Sequence, residues 1–575
     1  MRMKKILTLV TLVLGIYCAQ AQTNAGAFAS MKLGEPVMFD SAIPQITTKA
    51  DASSFAGGSG TEADPYLVAT VEHLRTLAAM SIRDSEENLT KLKGVYFKQI
   101  ADIVFGVSDP QIFIGNGAWF AGTYDGDGYA IKNYSLRQNF RGTSAYMALF
   151  MNCSGATLKN VHMVGTKIDV AAEGTDLKVS VGGLAGNFQA GQIINCTTDG
   201  SYIVQISGSA SNAFIGGLVS FLTNSTIDNC RSYGNYRNEV AVEGGSRCFT
   251  EIGGIAAEMV ESKIINCISY NEAKNFAQGN VDVLNVRTAG IAAYALDAQV
   301  LNSSSRGESL VSIANNNQQE ATSYVYTAGV VAILTDKSLI SNCWNVVPTL
   351  KSEGATKPIE PNPICYLFTE DATLSNCYYS NGEASEASMK SQEFVDKLNE
   401  NLPEGALTWQ LRNDGYPTLQ VLHSVILPSL IGATTTPNEG TSKIEDGERF
   451  RFSLTLDEEY NESKPVVTVG DKTLEPDADM NYVTDRVTAD MVIKITGIVK
   501  NTATANEKIT IGSKVYVTGG VLYIQPEAPV KVRVFNMQGR LMKSAMISGD
   551  TQMQLPQGIY VVRLGDQSYK ISISE

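Results

Sequence analysis

The chain has 575 residues, too many for one compact core, so several domains are expected. Cleavage after residue 21 would remove Arg2, Lys4 and Lys5 and no carboxylate, leaving 42 basic and 59 acidic side chains and a net charge of −17. That balance opposes a nucleic-acid or anionic-membrane partner, whose phosphates need Lys and Arg, and suits an exported acidic protein.

Residues 1–21 read as a secretory signal: Arg2, Lys4 and Lys5, an apolar stretch from Ile6 to Tyr17, and the small-x-small site Ala19-Gln20-Ala21. A lipoprotein reading through Cys18 is weaker, because bulky Tyr17 stands where a small residue is needed. No later segment approaches the roughly 20 apolar residues that span a bilayer. Residues 22–54 form an N-terminal leader.

A repeat follows. Gly182-Gly183-Leu184, Gly216-Gly217-Leu218, Gly253-Gly254-Ile255, Ala289-Gly290-Ile291 and Ala328-Gly329-Val330 form one half. The other half is Asn160-Val161, Asn195-Cys196, Asn229-Cys230, Asn266-Cys267, Asn302-Ser303, Asn342-Cys343 and Asn376-Cys377. The Asn residues are spaced by 35, 34, 37, 36, 40 and 34, a pitch that marks a solenoid. Apolar residues lie two before each Asn (Leu158, Ile193, Ile227, Ile264, Val300, Ile340, Leu374) and Val, Cys or Ser one after. Inward positions three apart do not fit a straight strand, so each Asn should occupy a corner, where its tolerance of left-handed backbone is useful. A second corner is expected five residues on, at Gly165, Gly200, Gly234, Asn271, Gly307, Val347 and Asn381. About three apolar clusters per period imply one triangular coil of three short strands.

Eight cysteines remain after signal removal, and five share the position after Asn. That register favours buried free thiols over a disulfide framework. Cys153, Cys248 and Cys365 fall outside it.

These repeats resemble the GLUG-type repeats of bacterial surface proteins, with their G-G-L-V-G and I-x-N-C cores. The resemblance covers residues 55–422. It includes Gly57-Gly58-Ser59-Gly60-Thr61, Asp64-Pro65-Tyr66-Leu67-Val68, the helix-like Thr70 to Met80, Gly122 to Gly128, and the closing Trp409 and Tyr416-Pro417-Thr418-Leu419. It implies an exported right-handed parallel β-helix and no single activity. A helix near 387–402, with Phe394, Val395, Leu398 and Leu402 on one face, is expected to cap the solenoid's open edge.

Residues 423–500 alternate as in a small Ig-like antiparallel β-sandwich, and 501–507 read as a linker. Residues 508–575 carry Val530 to Arg540 and Leu555 to Arg563. Both stretches resemble the C-terminal sorting domain of the Bacteroidetes type IX secretion route, although Ile573-Ser574-Glu575 ends acidic where that family ends basic. The resemblance implies delivery through that secretion machinery.

Catalytic signatures are sparse. His73, His162 and His423 lack a second His at metal spacing, no H-E-x-x-H or G-x-S-x-G occurs, and no Cys–His pair stands out. Asp125-Gly126-Asp127-Gly128 reads as a Gly-rich turn better than as a calcium loop, and Asp477 with Asp479 is weaker still. No acidic residue recurs in register on the outer face. Tyr233, Tyr236, Tyr270, Tyr294, Tyr324 and Tyr326 suggest sugar stacking or, more simply, cover for a sheet face.

The expectation is an all-β chain: a parallel β-helix followed by two small antiparallel β-sandwich modules. It should act at the cell surface or after secretion as a non-catalytic, adhesin-like protein. The partner would be a glycan or an extracellular protein, with no catalytic residue, cofactor or metal. The alternatives are a carbohydrate-active β-helix enzyme, which needs paired carboxylates on one face, and a structural stalk.

Overall fold

The computed structural model describes residues 54–574 except 84–88, 142, 319, 358, 368, 381–385, 413–414, 420–421, 446–448, 478–479, 488–489 and 502–512. The signal, nearly all of the leader and residues 502–507 of the linker lie outside the described residues. The chain is almost entirely β, and its first part is a parallel solenoid of about nine turns.

One coil shows the plan. Lys178–Gly182 belongs to sheet I, Ala185–Gln189 to sheet II, Gln192–Ile194 to sheet III and Thr197–Ser209 to sheet IV. The next coil repeats this, with Lys178 beside Asn212, Gln192 beside Thr226 and Thr197 beside Arg231. Sheets I to IV hold 6, 9, 10 and 12 strands; the central coils, from Ser144 to Asn280, add one strand to each wall, while among the described residues sheet I is absent from the outer coils and the outer strands of sheet IV are split in two. The expected three short strands are therefore four. The Gly-Gly step splits one apolar cluster into two sheets. It needs glycine because a Cβ on Gly253 would lie 1.6 Å from the Ala256 carbonyl oxygen.

The Asn corners form as expected. Asn160, Asn195, Asn229, Asn266, Asn302, Asn342 and Asn376 all have φ between 47° and 60°. Their amides link coil to coil: Asn195 donates to Asn160 (2.9 Å), Asn302 to Asn266 (2.8 Å) and Asn342 to Asn302 (2.7 Å). The rung at Asn266 steps sideways and donates to Asp228 at 2.7 Å. Beside this ladder runs the thiol ladder. The Cys196 amide donates to the Cys230 sulfur at 3.3 Å, and the Cys267 amide to Ser303 Oγ at 3.0 Å. All eight described cysteines are free, and all but half-buried Cys377 are buried.

The second corner is not a corner in the central coils. Gly200, Gly234 and Asn271 lie inside continuous 13-residue strands of sheet IV. Glycine is kept there for close stacking: a Cβ on Gly234, whose φ is 143°, would come within 2.0 Å of the Gly200 carbonyl oxygen. Beyond this point sheet IV folds back over sheet I. Asn275 Nδ2 donates to the carbonyls of Thr250 (2.8 Å) and Arg287 (2.9 Å), satisfying buried backbone between the layers.

Helix α1 (Val71–Met80) closes the first coil with fully buried Leu74 and Leu77, and Thr70 Oγ1 caps its start by accepting from the His73 amide. Helix α2 (Gln392–Glu400) starts at Ser391, which caps Phe394. It does not cover the open end as expected. Residues 386–412 and 415–419 run along the side of the solenoid over the Asn corners. Asn342 donates to Leu398 O, Asn302 to Leu407 O and Asn266 to Gly405 O, while Trp409 Nε1 donates to Asn302 Oδ1. Phe394, Leu398 and Trp409 bury against Trp344 and Ile268. The corner amides thus have partners on two sides, and the segment straps successive coils together.

Residues 424–574 hold two small, mainly antiparallel β modules. The first combines a five-stranded and a three-stranded sheet, with one parallel pair at Val425 and Met491. The second combines three-stranded and four-stranded sheets around Leu522, Val532, Val534, Val562 and Leu564. In it the motif strands Val530–Asn536 and Gly558–Leu564 are antiparallel neighbours, with Val534 opposite Val562.

Candidate functional site

Two features of the solenoid gather polar side chains: a buried valley between sheets I and II, and an open trough on the outer face of sheet IV.

The valley arises from the Gly-Gly bend. Residues flanking it seven apart face each other, and each position stacks on its equivalent in the next coil. Along sheet I the row is Ser180, Phe214, Glu251, Arg287 and Tyr326. Along sheet II it is Asn187, Phe221, Glu258, Tyr294 and Ile333. One rung therefore sets Glu251 against Glu258, and the next sets Arg287 beside Tyr294. Arg287 Nη1 donates to Glu251 Oε1 at 2.6 Å, and its guanidinium lies over the Tyr294 and Phe249 rings at 5.1 and 5.5 Å. Lys178 Nζ stands 4.0 Å from the centre of the Phe221 ring.

This cluster is sealed. Glu251, Arg287 and Glu258 are 0%, 3% and 5% exposed. Burial raises the Glu251 carboxyl to about 8; Arg287 opposes the shift and the Glu258 charge adds to it. Burial also raises Glu258, against the pull of Lys178 and Arg287, while its hydrogen bond with Glu251 lowers it. Lys178 is pushed down by burial, against Glu258 and Glu251. The two carboxyl groups are thus pushed toward their neutral forms by burial and held back by the Arg287 and Lys178 cations. No substrate reaches the cluster in this conformation.

Glu251 makes stability depend on pH. Its folded value of about 8 exceeds the usual 4.5, so the folded chain holds a proton that the unfolded chain has lost. Stability should fall as pH rises through that window, by an amount on the order of a few kcal/mol. Thermal melts across the window should show a declining melting temperature for the wild type and a flatter profile for Glu251→Gln. Parallel profiles would mean that Glu251 does not hold the proton.

The trough lies on the far half of sheet IV. It is a cavity of about 650 Å³ open to solvent, and it crosses five successive strands. Its central row is Asn139, Ala171, Gln205, Glu239 and Phe276, one residue per strand and in direct register. Arg141 pairs with Glu173 at 3.4 Å, and Gln205 Nε2 donates to Glu239 Oε2 at 2.8 Å. Glu239 also meets Arg237.

The residues singled out from sequence fare differently. His73, His162 and His423 sit on separate elements. The His73 Nδ1 accepts from Ala69 N at 3.0 Å, and His162 shares a hydrogen bond with Thr197 Oγ1 at 2.7 Å. Asp125 and Asp127 pair with Lys159 (3.1 Å) and Lys98 (3.2 Å) around a tight turn, and Asp477 pairs with Arg451 at 3.0 Å. Asp479 lies outside the described residues. Among the described residues no three His, Cys, Asp or Glu gather as a metal site. The tyrosines do not make one sugar-stacking surface. Tyr236, Tyr294 and Tyr326 are buried, and Tyr236 stacks on Tyr202 within the core. Tyr233 stacks on Tyr270 at 4.6 Å, and Tyr270 packs against the side strap.

The valley cluster escaped the sequence reading because Glu251 and Glu258 do not recur in register. They occupy two positions of a single repeat, and their seven-residue separation across Gly253-Gly254 is the signal that pairs them.

No known protein family matches the chain, and no curated protein matches it. Among solved structures it is similar to a putative immunoglobulin A1 protease from Bacteroides ovatus, at 20% identity and a TM-score of 0.36, over 64% of this chain and 97% of that one. It is also similar to an IgA1 protease at 16% identity and a TM-score of 0.33, over 59% of this chain. The match spans only 24% of that second protein. Likenesses at this level carry no activity to this chain.

Proposed function

We propose that the chain is an exported, non-catalytic binding protein, adhesin-like in use, that holds a glycan or an extracellular protein on the outer face of its solenoid. One contrast supports this reading. The paired carboxylates of the valley are closed to solvent, whereas the trough lies open across five coils. Chemistry on a polymer needs reachable acid and base groups, whereas binding needs an accessible face with fixed polar groups. The test is an array of glycans and matrix proteins probed with the mature chain. Retention of at least one class is expected; no retention on any class would overturn the proposal.

A carbohydrate-active enzyme is the second reading, favoured by the Glu251–Glu258 pair, since a glycosidase works with two neighbouring carboxyl groups, one of them raised to act as an acid. It requires the valley to open.

Residues 508–575 are proposed as an address for the secretion machinery and not as part of the binding face. Deleting them should leave residues 55–422 folded and able to bind, because the solenoid has its own strap and N-terminal closure. Cell fractionation should show loss of surface delivery, with the β signal retained in circular dichroism of the purified product. Normal delivery would contradict the sorting role.

A further inference from the structure

Resting on the binding role proposed above, we infer that the trough on sheet IV is a site for an unbranched, uncharged polysaccharide chain lying parallel to the solenoid axis, one sugar per coil.

Three observations carry this. The first is shape. Ala171, Ser207 and Ala241 are small, and they leave the depression between longer neighbours. Ser207 pairs with Ala241 in the next strand, while Ala171 lies one outward position along, beside Gln205, so the low floor spans three strands and steps across the sheet, with Glu173 and Gln278 closing the Ser207 row at its ends.

The second is chemistry. The long side chains are Asn139, Gln205, Glu239 and Gln278, planar groups that both orient and accept the hydroxyl hydrogen bonds of a sugar. Phe276 offers an aromatic face at one end; it is only half-buried, between Lys274 and Gln278 on the outward side of its strand. The charges on the face are already matched, Arg141 with Glu173 and Arg237 with Glu239. A charged polymer gains no net attraction here. An extended peptide could add as a strand only beside Ser135–Phe140, which is paired on one side; the other four strands of the trough are paired on both, so strand addition does not reach across it.

The third is repeat. Stacked strands advance by about 4.8 Å, close to the advance of an extended pyranose chain per sugar. A linear glycan along the axis would meet an equivalent row position at each coil. Five strands give four spacings, about 19 Å in all, or room for four to five sugars.

The test uses the full mature chain and defined oligosaccharides, from dimers to octamers, of cellulose, xylan, mannan, laminarin and chitin. Calorimetry should find at least one series whose affinity rises with length and levels off near the tetramer or pentamer. Phe276→Ala and the separate Gln205→Ala should each weaken that series at least tenfold with unchanged melting temperature. Using both variants guards against a local packing effect at Phe276. A glycan that binds equally well to both variants would overturn the trough while leaving the binding role standing. An affinity that levels off at the dimer would overturn the one-sugar-per-coil register. Binding of matrix protein and of no oligosaccharide would overturn the glycan assignment alone; binding of neither would overturn both.

Discussion

Replacing Ile264 by Asp should unfold the solenoid at conditions where the wild type is stable, with a loss of more than about 4 kcal/mol. Ile264 is fully buried on sheet III, stacked between Ile227 in the coil before and Val300 in the coil after. A carboxylate there has apolar neighbours above and below and no cation among its register partners. It must either stay charged in a dry interior or take up a proton, and both cost free energy. In a solenoid each coil buries its core only against its neighbours, so damage in the middle interrupts the stack on both sides. The control is Gln299→Asp on an exposed position of the same sheet, which should change stability by no more than about 0.5 kcal/mol. Denaturant unfolding of the 55–422 fragment followed by circular dichroism compares the two. Equal midpoints would place Ile264 at the surface.

Arg287→Met should be nearly as damaging, at about 3–5 kcal/mol near neutral pH. The guanidinium donates to Glu251 and lies over two aromatic rings, while Glu251 and Glu258 have no exposure worth the name. Its removal leaves the carboxyl pair with Lys178 as its remaining cation in the cluster. Methionine keeps much of the apolar stem, so the loss reports charge pairing more than packing. The double variant Glu251→Gln with Arg287→Met should recover much of the stability, because both members of the ion pair are then gone. Strictly additive losses would show that the two residues do not act on each other.

Much of the solenoid was readable from particular residues. The corner Asn residues announced themselves because one backbone geometry, left-handed and amide-satisfied, is needed once per coil and few residues supply it. The cysteines followed because a ladder repeats its own side chain. The fourth strand was not readable, since Gly182-Gly183 and its equivalents bend the chain between two short strands that look like one apolar cluster. Gly200 and Gly234 misled for a related reason: glycine marks close backbone approach as well as turns, and here it marks stacking within a long strand. Helix α2 showed an apolar face, but nothing local said which surface it would cover. The valley was hidden because its two rows come from different sheets. The trough was hidden because alternation along sheet IV shows which residues point outward, not which outward residues are short enough to leave a hollow.

The most direct measurement of binding against catalysis is product analysis on the polysaccharides that the chain retains. Each is incubated with the purified mature chain, with Glu251→Gln and with Glu258→Gln, and chain lengths are followed by mass spectrometry. Intact polymer, bound and recoverable at full length with all three proteins, is the expected result. Shortened chains with the wild type, absent with either variant, would contradict it and make the Glu251–Glu258 pair a catalytic site.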